Sequence, residues 1–126
     1  MRFTFKKEER LYGHAALENV YTNGKHVHTN AIKIIFTEVP QNDQPACRVV
    51  FSVPKRGFKK AVDRNLIKRR MREVYRNHKH ILYQHLENKQ KQIHIYLIYT
   101  SKQIIEFDAL KENIVQALQL LASKTN

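Results

Sequence analysis

Lys55 to Lys79, KRGFKKAVDRNLIKRRMREVYRNHK, is where the chain concentrates groups that could do chemistry. Eleven cationic side chains lie there: Lys55, Arg56, Lys59, Lys60, Arg64, Lys68, Arg69, Arg70, Arg72, Arg76 and Lys79. Only two acids, Asp63 and Glu73, stand against them, so the segment holds nine of the chain's twelve net positive charges. The chemistry such a block serves is the binding of a polyanion. Side chains four apart on a helix project about 6 Å apart along one face, close to the phosphate spacing of an RNA backbone. The middle of the segment prefers Arg to Lys, and guanidinium forks grip phosphates with paired bonds or stack on bases. A solvated basic face and a membrane-surface helix are the alternatives. The shortage of acids speaks against the first; the mid-chain position and scarce bulky aromatics speak against the second.

No covalent catalyst is visible beside this block. The chain has no HExxH, no cysteine cluster, no phosphate-binding glycine loop and no nucleophile elbow. His78 and His80, two apart on a helix, point to opposite sides and cannot share a metal. His26 and His28 share a strand face, but two ligands are too few for a closed zinc site. Cys47 is expected to be a buried strand residue, and the carboxylates show no grouping that would hold metal ions.

The elements that must position the cations follow from periodicity. Phe3 and Phe5 begin a basic-aromatic arm over Met1–Lys7. A first helix is predicted from about Glu8 to Thr22, with Leu11, Ala15, Leu17 or Val20, and Tyr21 at helical spacing. Asn23-Gly24 stops it, with Gly24 expected in the left-handed conformation. His26-Val27-His28 reads as a short edge strand. Ile32 to Val39 is a strand in which Ile32, Ile34 and Phe36 face one way and Lys33, Ile35 and Thr37 the other. PQNDQP at Pro40–Pro45 suggests a hairpin loop to the next strand, Cys47 to Val53, which Pro54 ends. Lys55 to Lys60 is a loop around Gly57. A long helix then runs from Ala61 or Asp63 to about Leu86. Ile67, Met71, Val74, Tyr75, His78 and Leu82 form its apolar stripe. Arg64, Asn65, Lys68, Arg69, Arg72, Arg76 and Lys79 line an adjacent sector, and Arg70 lies apart. Ile93 to Thr100 is the most hydrophobic strand and is expected at the sheet's centre. A last helix, capped by Asp108, runs to about Ala122 on a stripe of Leu110, Ile114, Ala117, Leu118 and Leu121. The order α, β, β(β), α, β, α predicts one layer of helices on one sheet, in a single domain spanning residues 1–126.

Composition agrees. With 42% hydrophobic residues the chain can build a core, and its pI near 10 favours RNA or DNA as a partner. A lone cysteine fits a reducing compartment. No apolar run is long enough to span a membrane, and MRFTFKKEER lacks a secretion-signal core, so a cytoplasmic location is expected. A helix-in-groove DNA-binding module is weakened by the lack of a short helix just before the basic one. A structural RNA-binding protein, ribosomal or an assembly factor, remains the competing class.

Ala61 to Arg76, AVDRNLIKRRMREVYR, resembles the signature of the bacterial ribonuclease P protein component. The hallmark pairs stand here as Arg64-Asn65, Lys68-Arg69 and Arg72-Glu73, preceded by Ala61-Val62. Phe51-Ser52-Val53 before Lys55-Arg56, and Arg10-Leu11 with Val20-Tyr21 and Gly24, are similar to its flanks. The likeness extends over roughly residues 5 to 122. It implies an α/β (α+β) two-layer sandwich in αβββαβα order, related to a ribosomal-protein fold, with the basic helix in a left-handed crossover between parallel strands. It also implies a function: the small partner of a catalytic RNA that cuts the 5′ leader from precursor tRNA. The chemistry and the Mg2+ would belong to the RNA, and the protein alone would be a monomer. By position, Arg64, Asn65, Lys68, Arg69, Arg72 and Arg76 would bind that RNA, with Lys55, Arg56, Lys59 and Lys60 as an adjoining basic loop. Leu17, Tyr21, Ile35 or Phe36, and Ser52 would line a leader-binding cleft. The chain departs from the pattern at Leu17 and Ile35, where the family often has aromatic residues, and its Lys55–Lys60 loop is one residue longer.

Overall fold

A computed structural model describes residues 5–41 and 45–125; Phe3 of the arm and the 42–44 part of the PQNDQP loop lie outside them. The elements are α1 (His14–Asn23), β1 (Lys25–His28), β2 (Ile32–Val39), β3 (Cys47–Ser52), α2 (Ala61–His78), α3 (His80–Asn88), β4 (Gln92–Tyr99) and α4 (Phe107–Lys124). The four strands lie in the order β1-β2-β4-β3. β1 with β2, and β2 with β4, are antiparallel, whereas β3 runs parallel to β4. The hydrophobic run of β4 is thus central and His26–His28 lie on an edge, as their patterns predict. The hairpin expected between β2 and β3 does not form, because β4 lies between them. A parallel neighbour needs a crossover, and α2 with α3 supplies it.

Strand alternation builds the main core. Ile32, Ile34 and Phe36, Val49 and Phe51, and Ile93, Ile95 and Leu97 all face α2, α3 and α4. The helices answer with the expected stripes: Ile67, Met71, Val74 and Tyr75 on α2, Leu82 and Leu86 on α3, and Leu110 through Leu121 on α4. Full burial of each such side chain is worth about 1.5–3 kcal/mol, which holds the basic helix against the sheet. Cys47 sits at the core's edge, where Tyr75 Oη donates to its Sγ at 3.4 Å and burial pushes the thiol up to about 12. α1 packs on the opposite face, where Leu11, Val20 and Ile35 form a second, smaller cluster with Ala16, Leu17, Val50, Tyr96 and Ile98. The sandwich therefore carries one helix on its second face in addition to the predicted layer.

Three boundaries differ from the periodic reading. The first helix begins only after Gly13, whose φ of 98° suits glycine and breaks the run from Glu8. Gly24 does end that helix, but with φ −77°. Its glycine is required by crowding: a Cβ there would lie 2.4 Å from the Val20 carbonyl oxygen and 2.5 Å from Ile35 Cγ2. The long basic helix is interrupted at Lys79, where the Leu82 amide bonds back three residues to the Lys79 carbonyl in a tightened turn. At the last helix Glu106 takes the N-cap position and Asp108 falls within the first turn. There its charge still faces the positive end of the helix dipole. None of the described helices is long and apolar enough to cross a membrane.

Candidate RNA interface

The loop after β3 presents Lys55, Arg56, Lys59 and Lys60 to solvent while its Phe58 is buried, the ring 5.8 Å from that of Tyr99. Arg64 completes the anchor. Its Nη1 donates to the Phe58 carbonyl at 2.6 Å and to the Lys59 carbonyl at 2.9 Å. A cleft of about 810 Å³ lies between this loop and Thr100–Lys102, at the C-terminal ends of the parallel strands β3 and β4. Lys102, which the sequence reading did not single out, adds a cation to that cleft.

Along α2, Asn65, Arg69 and Arg72 are exposed and Lys68 is half-exposed, so these four occupy one outward lane. Arg76 is half-exposed and donates to Glu73 Oε1 at 2.5 Å; Asn77 donates to the same oxygen at 3.3 Å. The Arg76 hydrogen bond holds the Glu73 carboxyl below its usual range. The lane is shorter than the sequence projects. Arg64 turns back to the loop, and Lys79 is buried against Glu9, 2.7 Å from its carboxylate. Helical projection sees direction around the axis but not what folds over the helix end.

The second face of the sheet is laid out by strand register. One row across it runs Arg48, His94, Thr37; the next Val50, Tyr96, Ile35, His26; the third Ser52, Ile98, Lys33, His28. α1 lies over the Ile35 side, which leaves the β3 side open. Tyr21 on α1 is 66% exposed, and its ring centroid is 6.4 Å from that of Tyr96. Leu17 is half-buried in the same cluster. Ser52 opens onto this face beside Ile98. Two expected cleft residues are placed elsewhere. Phe36 is in the opposite phase of β2 and is buried in the main core, so it cannot line this face. Ile35 has the right phase, but α1 covers it, and it serves as the seat of the helix. Tyr96, Val50 and Ile98, not named from the sequence, share this face. The alternation of β3 and β4, read in phase with Ser52, was the signal that would have found them.

His94 sits in the first row beside Arg48. Burial, and then the Arg48 charge, hold its imidazole below the ordinary histidine range, so the neutral form is favoured. Among the described residues, no three His, Cys, Asp or Glu side chains gather in a way that could hold a metal ion.

Fold and charge together define a small basic α/β sandwich of the class that engages RNA, with a cationic helix on one side and an open tyrosine-bearing sheet face on the other. The chain belongs to the ribonuclease P protein family, whose model matches residues 5–122. Members are the protein component of a ribonucleoprotein endoribonuclease that acts in tRNA processing, with an RNA partner in the holoenzyme. The ribonuclease P protein component of Porphyromonas gingivalis is 28% identical over 120 residues, which cover 95% of this chain and 88% of that protein. That of Petrotoga mobilis is 43% identical over 76 residues, covering 60% and 61%. Among solved structures, the RNase P protein of Staphylococcus aureus superposes with a TM-score of 0.71 at 21% identity, covering 90% of this chain and 94% of that one. The RNase P protein of Thermotoga maritima gives 0.70 at 22%, covering 89% and 96%. At these identities the structural likeness speaks for the fold.

Proposed function

We propose that this protein holds two RNA segments at once. The lane of Asn65, Lys68, Arg69 and Arg72, with Arg76 and the loop cations Lys55, Arg56, Lys59 and Lys60, binds the catalytic RNA. The face of Tyr21, Tyr96, Val50, Ser52 and Leu17 binds the single-stranded 5′ leader of precursor tRNA. The observation that carries this reading is the separation of the two surfaces. The lane projects from α2 on the core side of the sheet, and the Tyr21–Tyr96 pair stands on the other side. A rigid lane neutralises phosphates without reorganising, and each neutralised phosphate makes binding more salt-dependent. Exposed tyrosine rings accept bases of any sequence, at about 1–3 kcal/mol per stacked base.

Cleavage itself is assigned to the RNA. In this reading Mg2+ draws its ligands from RNA phosphates and the protein acts by positioning. The protein is expected to work as a monomer beside its RNA, in the cytoplasm. Reconstitution tests the reading: the purified protein is added to a ribonuclease P RNA and a precursor tRNA at low Mg2+ and moderate salt. Faster cleavage and tighter substrate binding are expected, and no improvement in either would overturn it.

A further inference from the structure

Residues 5–12, ahead of α1, form no regular strand, yet they are fastened at several points. The Leu11 amide donates to the Val49 carbonyl at 2.9 Å, and Arg10 bridges Val49 in parallel register. Glu9 meets Lys79 in the interior, and the Phe5 ring packs edge-on against Phe51 at 5.7 Å and Tyr75 at 6.0 Å. Residues 5–11 are in this way built into a wall along the outer edge of β3.

Between that wall and α2 runs a groove of about 480 Å³, within the roughly 300–1,000 Å³ range of small-ligand sites. Its floor is Leu11 and Val49 to Phe51. Lys7 and Arg10 line one side, Lys68 and Arg72 the other, and among the described residues no acidic side chain lines it. The Arg10 guanidinium rests 5.7 Å from the Phe5 ring centroid and that of Arg72 rests 5.9 Å from Phe51. Such stacking orients a guanidinium and leaves its N–H edge for an anion. Tyr12, 65% exposed, also lines the groove.

We propose that this groove is a nucleotide subsite for single-stranded RNA. One base lies against Tyr12 above the apolar floor, and its phosphate is held by Arg10 and Lys7, on the side of the groove away from the α2 lane. The strand is the leader of the precursor, an assignment that rests on the function proposed above. Val50 belongs both to this groove and to the tyrosine face, so a strand leaving that face over the β3 edge enters the groove directly. Duplex RNA does not suit it, since paired bases are stacked internally and only phosphates would reach the rim.

The test uses the holoenzyme reconstituted with a ribonuclease P RNA, and compares affinity for precursor tRNA with and without its leader. Arg10→Ala combined with Tyr12→Ala should cut the leader-dependent gain in affinity about tenfold, the equivalent of one lost stacking contact. Arg10→Lys with Tyr12→Phe keeps charge and ring, and should recover it. A benzophenone side chain placed at position 12 should crosslink to the leader. If the wild-type holoenzyme shows no leader-dependent gain, the reading of the tyrosine face fails and this assignment fails with it. If the wild type shows the gain but the double variant keeps it, the groove assignment alone is overturned. Failure of the conservative pair to recover the gain, or crosslinking to the catalytic RNA or to neither strand, overturns it as well.

Discussion

The ammonium nitrogen of Lys79 lies 2.7 Å from both carboxylate oxygens of Glu9, and both residues are almost wholly shielded from water. The pair joins the segment before α1 to the break between α2 and α3, seventy residues away. It also removes Lys79 from the cation lane. Removing one partner leaves an uncompensated buried charge, which costs about 3–5 kcal/mol. Glu9→Ala should therefore destabilise the fold by that order in urea unfolding. A Glu9→Leu, Lys79→Met pair should be close to wild type. A single variant as stable as the parent would mean the pair is not buried in solution.

Arg64 differs in kind from its neighbours in the basic motif. Its guanidinium bonds two loop carbonyls, whereas Arg69 and Arg72 project outward. Arg69→Ala and Arg72→Ala should each lower the salt slope of RNA binding by about one. Arg64→Ala should loosen the loop, so that Lys59→Ala costs less affinity in that background than in the wild type. A double-mutant cycle reads this coupling directly; additive losses would make Arg64 another independent phosphate contact.

Glycine positions give a stability contrast. At Gly24 a Cβ would strike backbone and a buried side chain, whereas at Gly57 nothing lies within 4 Å. Gly24→Ala should destabilise by about 1–3 kcal/mol, as overpacking does. Gly57→Ala should be neutral or stabilise by about 0.4–1 kcal/mol through the unfolded chain. Thermal melts of the two variants check both signs.

His94 should leave a mark on stability as pH falls. Its pKa is lower in the folded protein than in the unfolded chain, chiefly through burial and then through Arg48. The unfolded state therefore binds its proton first. The stability it contributes is whole above the ordinary histidine value, about 6.5, and is lost as pH falls through the folded value. Urea midpoints from pH 7.5 to 5 should fall less steeply for His94→Gln than for the wild type. Equal slopes would show that His94 titrates as an ordinary surface histidine.

Much of this was legible in the chain itself. The stripes of α2 and α4 and the alternation of β2 and β3 sort cleanly because burial on one side imposes the periods of 3.6 and 2. Strand order was not legible: PQNDQP looks like a hairpin, and only the pairing of β4 with both β2 and β3 shows otherwise. The cation lane was legible in direction but overcounted at Arg64 and Lys79. Both are drawn away, Lys79 by a partner seventy residues away in sequence and Arg64 by the carbonyls of a loop. The tyrosine face was half legible. Tyr21 entered the cleft only through the family resemblance, since helical spacing alone groups it with Leu11, Ala15 and Leu17; Tyr96 hides in a strand whose hydrophobicity reads as core throughout. Its half-burial depends on where α1 stops covering the sheet.

Tyr21 is the side chain on which that face turns. With two-thirds of its surface exposed, Tyr21→Ala should barely alter stability, while leader-bearing precursor should bind about five- to a hundredfold more weakly. Tyr21→Phe should behave as wild type. Equal losses for leader-bearing and leaderless RNA would assign the ring to packing instead.

The most direct measurement is the ratio of Kd values for leaderless and leader-bearing tRNA, taken with the ribonuclease P RNA alone and again with the protein bound. If the lane holds the catalytic RNA while the tyrosine face holds the leader, adding the protein should raise that ratio at least tenfold, in favour of the leader-bearing substrate. A ratio that the protein leaves unchanged would contradict the account.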